Sequence, residues 1–360
     1  MREITAAMLS VSGCVLTDEE KLLLKKANPM GITLFKRNIA DKEQVKTLIS
    51  SVKQAIERDD VLIAADQEGG RVCRFSSPQW DDYVSQYALA SLDEKQAKEM
   101  SQLHAFLIAN DLKQIGVNWN YAPVLDVAYS NTTQALQSRI FSSDEKKVAE
   151  LGKILTDTYK KNGICPCVKH LPGHGRATVD PHLNLPILSQ PLNELEKDFY
   201  PFTVLAQDAP AGMTAHMVIS CVDDKPITQS KKAIENIIRG YIGFKGFLIS
   251  DAIDMKALKG SLTDKVKTSL DAGCDAVCYC FGIFEEMKEV VSALRPLTDE
   301  ALMRFEKIKK IINQPLQNQD IQKAKKRYKE LSLQVKTLTT DYDAVEVLHE
   351  IKEKNANRKN

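Results

Sequence analysis

The sequence predicts an α/β fold, a (β/α)8 TIM barrel with extra C-terminal helices, on three observations. Short apolar runs alternate with longer stretches of helical periodicity along most of the 360 residues. Eight such pairs can be counted, the number that closes a barrel of this type. Polar and titratable residues follow several of the apolar runs, at the strand ends where parallel α/β proteins place their chemistry.

The apolar runs predict the strands, and the stretches between them predict the helices. The predicted strands are 6–11, 31–35, 61–65, 117–121, 164–168, 211–215, 247–250 and 276–279. The predicted helices between them are 17–26, 41–58, 93–114, 144–161, 192–207 and 231–241, with a seventh that ends near residue 271. Thr17 and Glu20 have the spacing of a capping box, and Asp41 is suited to open the second helix.

From Thr298 onwards the pattern is wholly helical and increasingly rich in lysine. We therefore expect residues 1–295 to form the barrel and residues 296–360 to form a helical extension packed on it, with a frayed Lys-rich tail. A partner-binding arm is the alternative to a solvated face for this tail, and a solvated face is more typical of such charge runs.

Composition limits the partners and the location. Lys plus Arg number 49 against 48 for Asp plus Glu, so the net charge of +1 gives no electrostatic footprint for nucleic acid. The apolar start is too short and interrupted for a signal peptide, and no window is long enough for a membrane span. The eight cysteines lie mostly in apolar runs. We expect them to be reduced and the protein to be cytoplasmic. We also expect it to be a monomer.

The residues that follow the predicted strands define a candidate site. They are Asp66 after the third strand, Asp126 and Arg139 after the fourth, Lys169 and His170 after the fifth, His216 after the sixth and Asp251 after the seventh. In a (β/α)8 barrel these positions meet at one mouth. Such a ring of charged and hydrogen-bonding groups suits a polar, hydroxyl-rich substrate.

The stretch 165–186, CPCVKHLPGHGRATVDPHLNLP, is unusually rich in histidine. It contains His170, His174 and His182, three of the six histidines, together with Asp180. The segment begins as a strand and is then broken by prolines and glycines into a long loop. Loop residues held by a rigid scaffold are disproportionately functional.

Three motifs in order, VLIAADQEGGRVCRF, VKHLPGHGRATVDPH and GFLISDAIDMKAL, resemble glycoside hydrolase family 3. The similarity runs from about Met8 to Gly282 and is to the family's single-domain bacterial β-N-acetylglucosaminidases of peptidoglycan recycling. The resemblance implies a retaining enzyme that removes non-reducing terminal β-linked N-acetylglucosamine from muropeptides. It implies neither a metal nor another cofactor.

The resemblance also implies the catalytic residues. The family nucleophile follows the seventh strand, which is the position of Asp251, and a retaining glycosidase needs a carboxylate at the anomeric carbon. Asp254 is the alternative, although its place favours a helix start or a cap. The family's acid/base histidine, with an aspartate two residues before it, corresponds to His182 and Asp180. The aspartate can orient the imidazole and stabilise its protonated form.

Motif positions imply the groups that hold the sugar hydroxyls and the N-acetyl-bearing ring. These are Asp66, Arg74, Arg139, Lys169 and His170. Their charge-assisted hydrogen bonds would orient the sugar as well as bind it. For Glu68, a pair with Arg71 is as well supported as a functional role. The sequence departs from the family pattern at Pro181, where serine usually separates the aspartate from the histidine.

Two alternatives stay open at this point. A metal-dependent hydrolase would use His170, His174, His182 and Asp180 as ligands, although Pro172 and Gly173 prevent a helix between the first two histidines. A catalytically silent sugar-binding barrel would need to have lost its nucleophile or its acid, and the sequence retains candidates for both. Sensitivity to EDTA distinguishes the metal hypothesis from the glycosidase.

Overall fold

In the computed structural model the chain is described over residues 3–179 and 184–338. The catalytic candidates Asp180 and His182 lie outside these residues. Eight parallel strands close into a barrel in which each strand pairs with the next and the last pairs with the first. They are β1 Thr5–Leu9, β2 Pro29–Leu34, β3 Leu62–Ala65, β4 Trp119–Asn120, β5 Cys165–Leu171, β6 Ala211–Thr214, β7 Phe247–Ala252 and β8 Ala276–Cys278. The predicted TIM barrel is confirmed.

A helix follows each barrel strand. The helices are α1 Asp18–Ala27, α2 Lys42–Ile56, α3 Glu94–Ile115, α4 Glu145–Lys161, α5 Glu196–Leu205, α6 Lys231–Ala233 continued by the π-helical turns Ile234–Tyr241, α7 Leu262–Ala272 and α8 Phe284–Ala293. The predicted capping box of α1 is present, since Thr17 and Glu20 each accept a hydrogen bond from the other's backbone N–H. Asp41 caps α2 by accepting from the Gln44 N–H.

Two strands extend further at their C-terminal ends than the apolar pattern predicts. Strand β5 continues to Leu171 and β7 to Ala252, so Lys169, His170 and Asp251 belong to strands rather than to the loops after them. The prediction that these strands end at 168 and 250 was wrong. Polar side chains at the barrel mouth find charged and hydrogen-bonding partners there, so the strand can continue without apolar residues.

Two further helices, α9 Asp299–Ile312 and α10 Ile321–Ser332, follow the barrel and share its hydrophobic core. Helix α9 lies across the N-terminal ends of the strands, where Arg304 pairs with Asp275 at 2.6 Å, directly before β8. Helix α10 then runs beside α3 towards the opposite end, and its Arg327 pairs with Glu99 in the second turn of α3. The extension therefore reaches the end of the barrel at which the candidate site lies. Nowhere in residues 3–179 and 184–338 is a helix long and apolar enough to cross a membrane.

Candidate active site

Five charged side chains form a continuous set of ion pairs at the C-terminal end of the barrel. Asp66, just after β3, pairs with Lys169 Nζ at 2.8 Å and with Arg74 Nη2 at 3.1 Å. Lys169 Nζ also lies 2.7 Å from Glu68 Oε1. The Arg139 guanidinium donates two hydrogen bonds to Glu68, from Nε at 2.9 Å and from Nη2 at 2.8 Å. We call these five residues the Glu68 network.

The cations keep the two carboxylates of this network ionised. Burial alone raises the pKa of a carboxyl, but Arg139 and Lys169 lower the pKa of Glu68 to about 2. Burial also raises the pKa of the Asp66 carboxyl, but Lys169 and Arg74 hold that pKa well below its usual range. Although burial favours the neutral amine of Lys169, the two carboxylates raise its pKa. At neutral pH the network therefore presents fixed charges.

A second buried group lies at the end of β5. Asp126 Oδ2 is 2.8 Å from His170 Nδ1, and Asp126 Oδ1 accepts a 2.6 Å hydrogen bond from the His174 backbone N–H. Burial lowers the pKa of the His174 ring to about 4, against the opposing negative charges of Asp126 and Asp251. His174 is therefore neutral at neutral pH, and its Nε2 has no hydrogen-bond partner within the described part of the chain.

Asp251 occupies the end of β7 and is only partly buried. Its Oδ1 accepts a 2.7 Å hydrogen bond from the Ala252 N–H. The alternative carboxylate, Asp254, is 8% exposed and accepts hydrogen bonds from the backbone N–H groups of Phe281 at 2.9 Å and Cys280 at 3.4 Å. Asp254 thus fixes the loop after β8, and Asp251 is the more accessible of the two carboxylates.

The structure brings most of the predicted site residues together. Asp66, Arg74, Arg139 and Lys169 belong to one network, His170 is held by Asp126, and Asp251 lies at the same end of the barrel. Sequence analysis missed the central place of Glu68, which pairs with Arg139 and Lys169. The only signal in the sequence is its position two residues after Asp66. The guanidinium of Arg71 donates to the Ala135 carbonyl oxygen.

The metal hypothesis depends on side chains that the structure does not describe. Among residues 3–179 and 184–338, no three His, Cys, Asp or Glu side chains are grouped so that they could hold a metal ion. His182 and Asp180, two of the four ligands of that hypothesis, lie outside these residues. Of the other two, His170 is engaged through Nδ1 with Asp126.

The fold is a (β/α)8 barrel whose mouth carries fixed charges and a partly exposed carboxylate, a set of groups that suits a polar, hydroxylated substrate. The model of the family "Glycosyl hydrolase family 3 N terminal domain" matches residues 1–313. The chain belongs to glycosyl hydrolase family 3, and the family predicted from the three motifs is confirmed.

Known relatives agree with this assignment. A protein named beta-hexosaminidase from Stenotrophomonas maltophilia (strain R551-3) is 36% identical over 282 residues, which is 76% of this chain and 82% of the relative. The crystal structure of NagZ from Neisseria gonorrhoeae in complex with N-trifluoroacetyl-D-glucosamine aligns with a TM-score of 0.82 at 29% identity, covering 92% of this chain and 98% of that chain. A second structure of that NagZ, in complex with zinc ion, aligns with a TM-score of 0.81 at 28% identity, with the same two coverages.

Proposed function

We propose that the chain is a retaining β-N-acetylhexosaminidase that removes terminal β-linked N-acetylglucosamine from muropeptides by way of a covalent glycosyl-enzyme. The family and the named relatives establish a glycosidase of the β-hexosaminidase class. The observation that carries the mechanism is the partly exposed Asp251 at the end of β7, at the same end of the barrel as the Glu68 network. A carboxylate in this setting is available to attack the anomeric carbon.

In the first step Asp251 forms a bond to the anomeric carbon while the bond from that carbon to the leaving oxygen breaks. His182, oriented by Asp180, donates its proton to the leaving oxygen. In the second step the same histidine takes a proton from water, the water oxygen attacks the anomeric carbon, and the bond to Asp251 breaks. The assignment of His182 and Asp180 rests on the DPH motif of the sequence.

The proposed sugar site is the Glu68 network together with His170. Asp66 is ionised and partly exposed, with 16% of its side chain accessible, so its oxygens can accept hydrogen bonds from sugar hydroxyls. Arg74, Arg139 and Lys169 hold the carboxylates in place and offer further donors. Because His170 Nδ1 faces Asp126, its Nε2 is the nitrogen that would meet the sugar.

We further propose a cytoplasmic monomer with residues 1–295 as the catalytic barrel and 296–360 as its helical extension. All eight cysteines lie within the described residues and all are free, which is typical of a reducing compartment. The net charge of +1 gives no general attraction to nucleic acid.

The proposal is tested by release of nitrophenol from 4-nitrophenyl N-acetyl-β-D-glucosaminide, compared with the matching β-glucoside and repeated with EDTA. Turnover of the N-acetyl substrate alone, unchanged by EDTA, is the expected result. Loss of turnover with EDTA favours the metal-dependent hydrolase, and no turnover of either substrate favours the silent barrel. Mass-spectrometric detection of N-acetylglucosamine released from purified muropeptides then tests the proposed substrate.

A further inference from the structure

A buried chain of hydrogen bonds connects the C-terminal helix α10 with the Glu68 network. It begins at the Val84 backbone N–H, which donates to the Tyr328 hydroxyl at 3.0 Å. The Tyr328 hydroxyl lies 2.9 Å from His104 Nδ1. His104 Nε2 lies 2.9 Å from the backbone carbonyl oxygen of Glu68. Tyr328 is 6% exposed and His104 is fully buried.

The partners at the two ends fix the direction of every bond in this chain. The Val84 N–H can only donate and the Glu68 carbonyl can only accept, so His104 carries its proton on Nε2. Its Nδ1 is then an acceptor, and the Tyr328 O–H donates to it. Burial lowers the pKa of His104 to about 4, which keeps the ring neutral and this arrangement intact at neutral pH.

The turn after Glu68 is packed directly against the same chain. Gly69 has φ +101°, a conformation that favours glycine. A Cβ at this position would collide with the Val84 carbonyl oxygen and would lie 2.8 Å from His104 Cε1. The backbone of the turn and the His104 ring therefore hold each other in place.

We propose that Tyr328 is a positioning residue for the active site. Through His104 it fixes the backbone of Glu68, whose carboxylate holds Arg139 and Lys169 at the mouth of the barrel. The inference rests on the proposed function, because that function makes the Glu68 network a sugar site. It gives the C-terminal extension a role in substrate binding in addition to its contribution to the core.

The variant Tyr328→Phe isolates the hydroxyl. The rings of Tyr83, His104 and Tyr328 have centroids 5.6–5.9 Å apart, so phenylalanine keeps this aromatic packing and removes only the two hydrogen bonds of the hydroxyl. The matched control is Arg327→Gln, one residue earlier in α10. It breaks a half-exposed ion pair with Glu99 at the same helix–helix contact and leaves the hydrogen-bond chain untouched.

We expect Tyr328→Phe to lower kcat/KM for 4-nitrophenyl N-acetyl-β-D-glucosaminide about tenfold, mainly through a higher KM. Arg327→Gln should stay within about twofold of the wild type. His104→Gln should lower kcat/KM about as much as Tyr328→Phe does. The double variant should lower it little more than either single variant, because both changes interrupt the same chain of hydrogen bonds. Equal losses in Tyr328→Phe and Arg327→Gln, or additive losses in the double variant, would overturn the inference.

A readout that needs no turnover separates this inference from the proposed function. Hydrogen–deuterium exchange of the segment 66–74 is expected to accelerate in Tyr328→Phe and to stay at the wild-type rate in Arg327→Gln. An unchanged exchange rate in Tyr328→Phe contradicts the positioning role even if the enzyme is active. An inactive wild type contradicts the proposed function, and the exchange experiment still decides on the positioning role.

Discussion

The two ends of the barrel each carry a buried carboxylate held by two cations. The role of this carboxylate differs between the two ends. At the N-terminal end, Asp275 pairs with Arg239 at 3.0 Å and with Arg304 at 2.6 Å. It also accepts a 2.7 Å hydrogen bond from the Leu248 N–H of β7. This carboxylate ties two outer helices, α6 and α9, to a barrel strand.

At the C-terminal end, Glu68 receives Arg139 from the loop after β4 and Lys169 from β5 itself. Lys169 is shared with Asp66, which is partly exposed at the barrel mouth. The same ion-pair chemistry thus connects elements of the fold at one end and, at the other, holds charges at the proposed sugar site. We expect damage at the first end to reduce stability, and damage at the second to reduce activity.

The largest expected effect is at the carboxylate proposed as the nucleophile. Asp251→Asn removes the proposed nucleophile and should lower kcat by ~10³-fold or more, while competitive binding of N-acetylglucosamine is retained. Steady-state kinetics and isothermal titration calorimetry measure the two quantities. Asp254→Asn is the comparison, because Asp254 holds the loop after β8. A greater loss of kcat in Asp254→Asn than in Asp251→Asn would reverse the assignment.

The acid/base variant should give a loss that depends on the leaving group. His182→Ala should lower kcat/KM for a natural disaccharide by about 10²–10⁴-fold, and less for the 4-nitrophenyl substrate, whose leaving group needs no proton. Parallel measurement of both substrates checks this. Equal losses would argue against proton donation by His182.

Glu68→Gln and Asp275→Asn test the comparison between the two ends directly. Glu68→Gln leaves Arg139 without its carboxylate partner at the proposed sugar site, and kcat/KM should fall by about 10²-fold. Asp275→Asn should lower the free energy of unfolding by about 3 kcal/mol, because two guanidinium groups lose a buried partner. Its kcat/KM should stay within about twofold of the wild type at a temperature where the variant is folded. A large loss of kcat/KM in folded Asp275→Asn would show that the two ends are not functionally separate.

A further expected effect is a pH dependence of stability from the buried histidine of the hydrogen-bond chain. Burial lowers the pKa of His104 to about 4, below the ordinary value of about 6.5, so the unfolded chain binds its proton first as the pH falls. The stabilisation from the neutral ring is complete above pH ~6.5 and is lost as the pH falls towards about 4, by up to about 1.4 kcal/mol per pH unit. The free energy of unfolding, measured by urea unfolding at several pH values in this range, should therefore change less with pH in His104→Asn than in the wild type. The same dependence of unfolding free energy on pH in both proteins would contradict a buried, neutral His104 ring.

The fold was readable from the sequence because the eight apolar runs and the helices between them are local patterns. The ends of β5 and β7 were not, because Lys169 and Asp251 are polar residues that tertiary contacts keep in strands. The motifs singled out Asp66, Arg74 and Arg139, but the pairing of Arg139 with Glu68 joins residues far apart in the chain.

The link between Tyr328 and His104 was equally beyond sequence reasoning, because it depends on how α10 packs against α3. The sequence predicts helices packed on the barrel in this region, but it does not indicate which side chain of the extension contacts the site. Asp180 and His182 remain predictions from a motif.

The central claim is that Asp251 forms the covalent intermediate. A 5-fluoro-N-acetylglucosaminyl fluoride tests it most directly, since the ring fluorine slows both steps and the fluoride leaving group restores the first, so that the intermediate accumulates. Proteolysis and tandem mass spectrometry then locate the attached sugar. We predict that the label lies on Asp251. A label on Asp254 or on any other residue, or hydrolysis of the reagent with no labelled peptide, would contradict the mechanism.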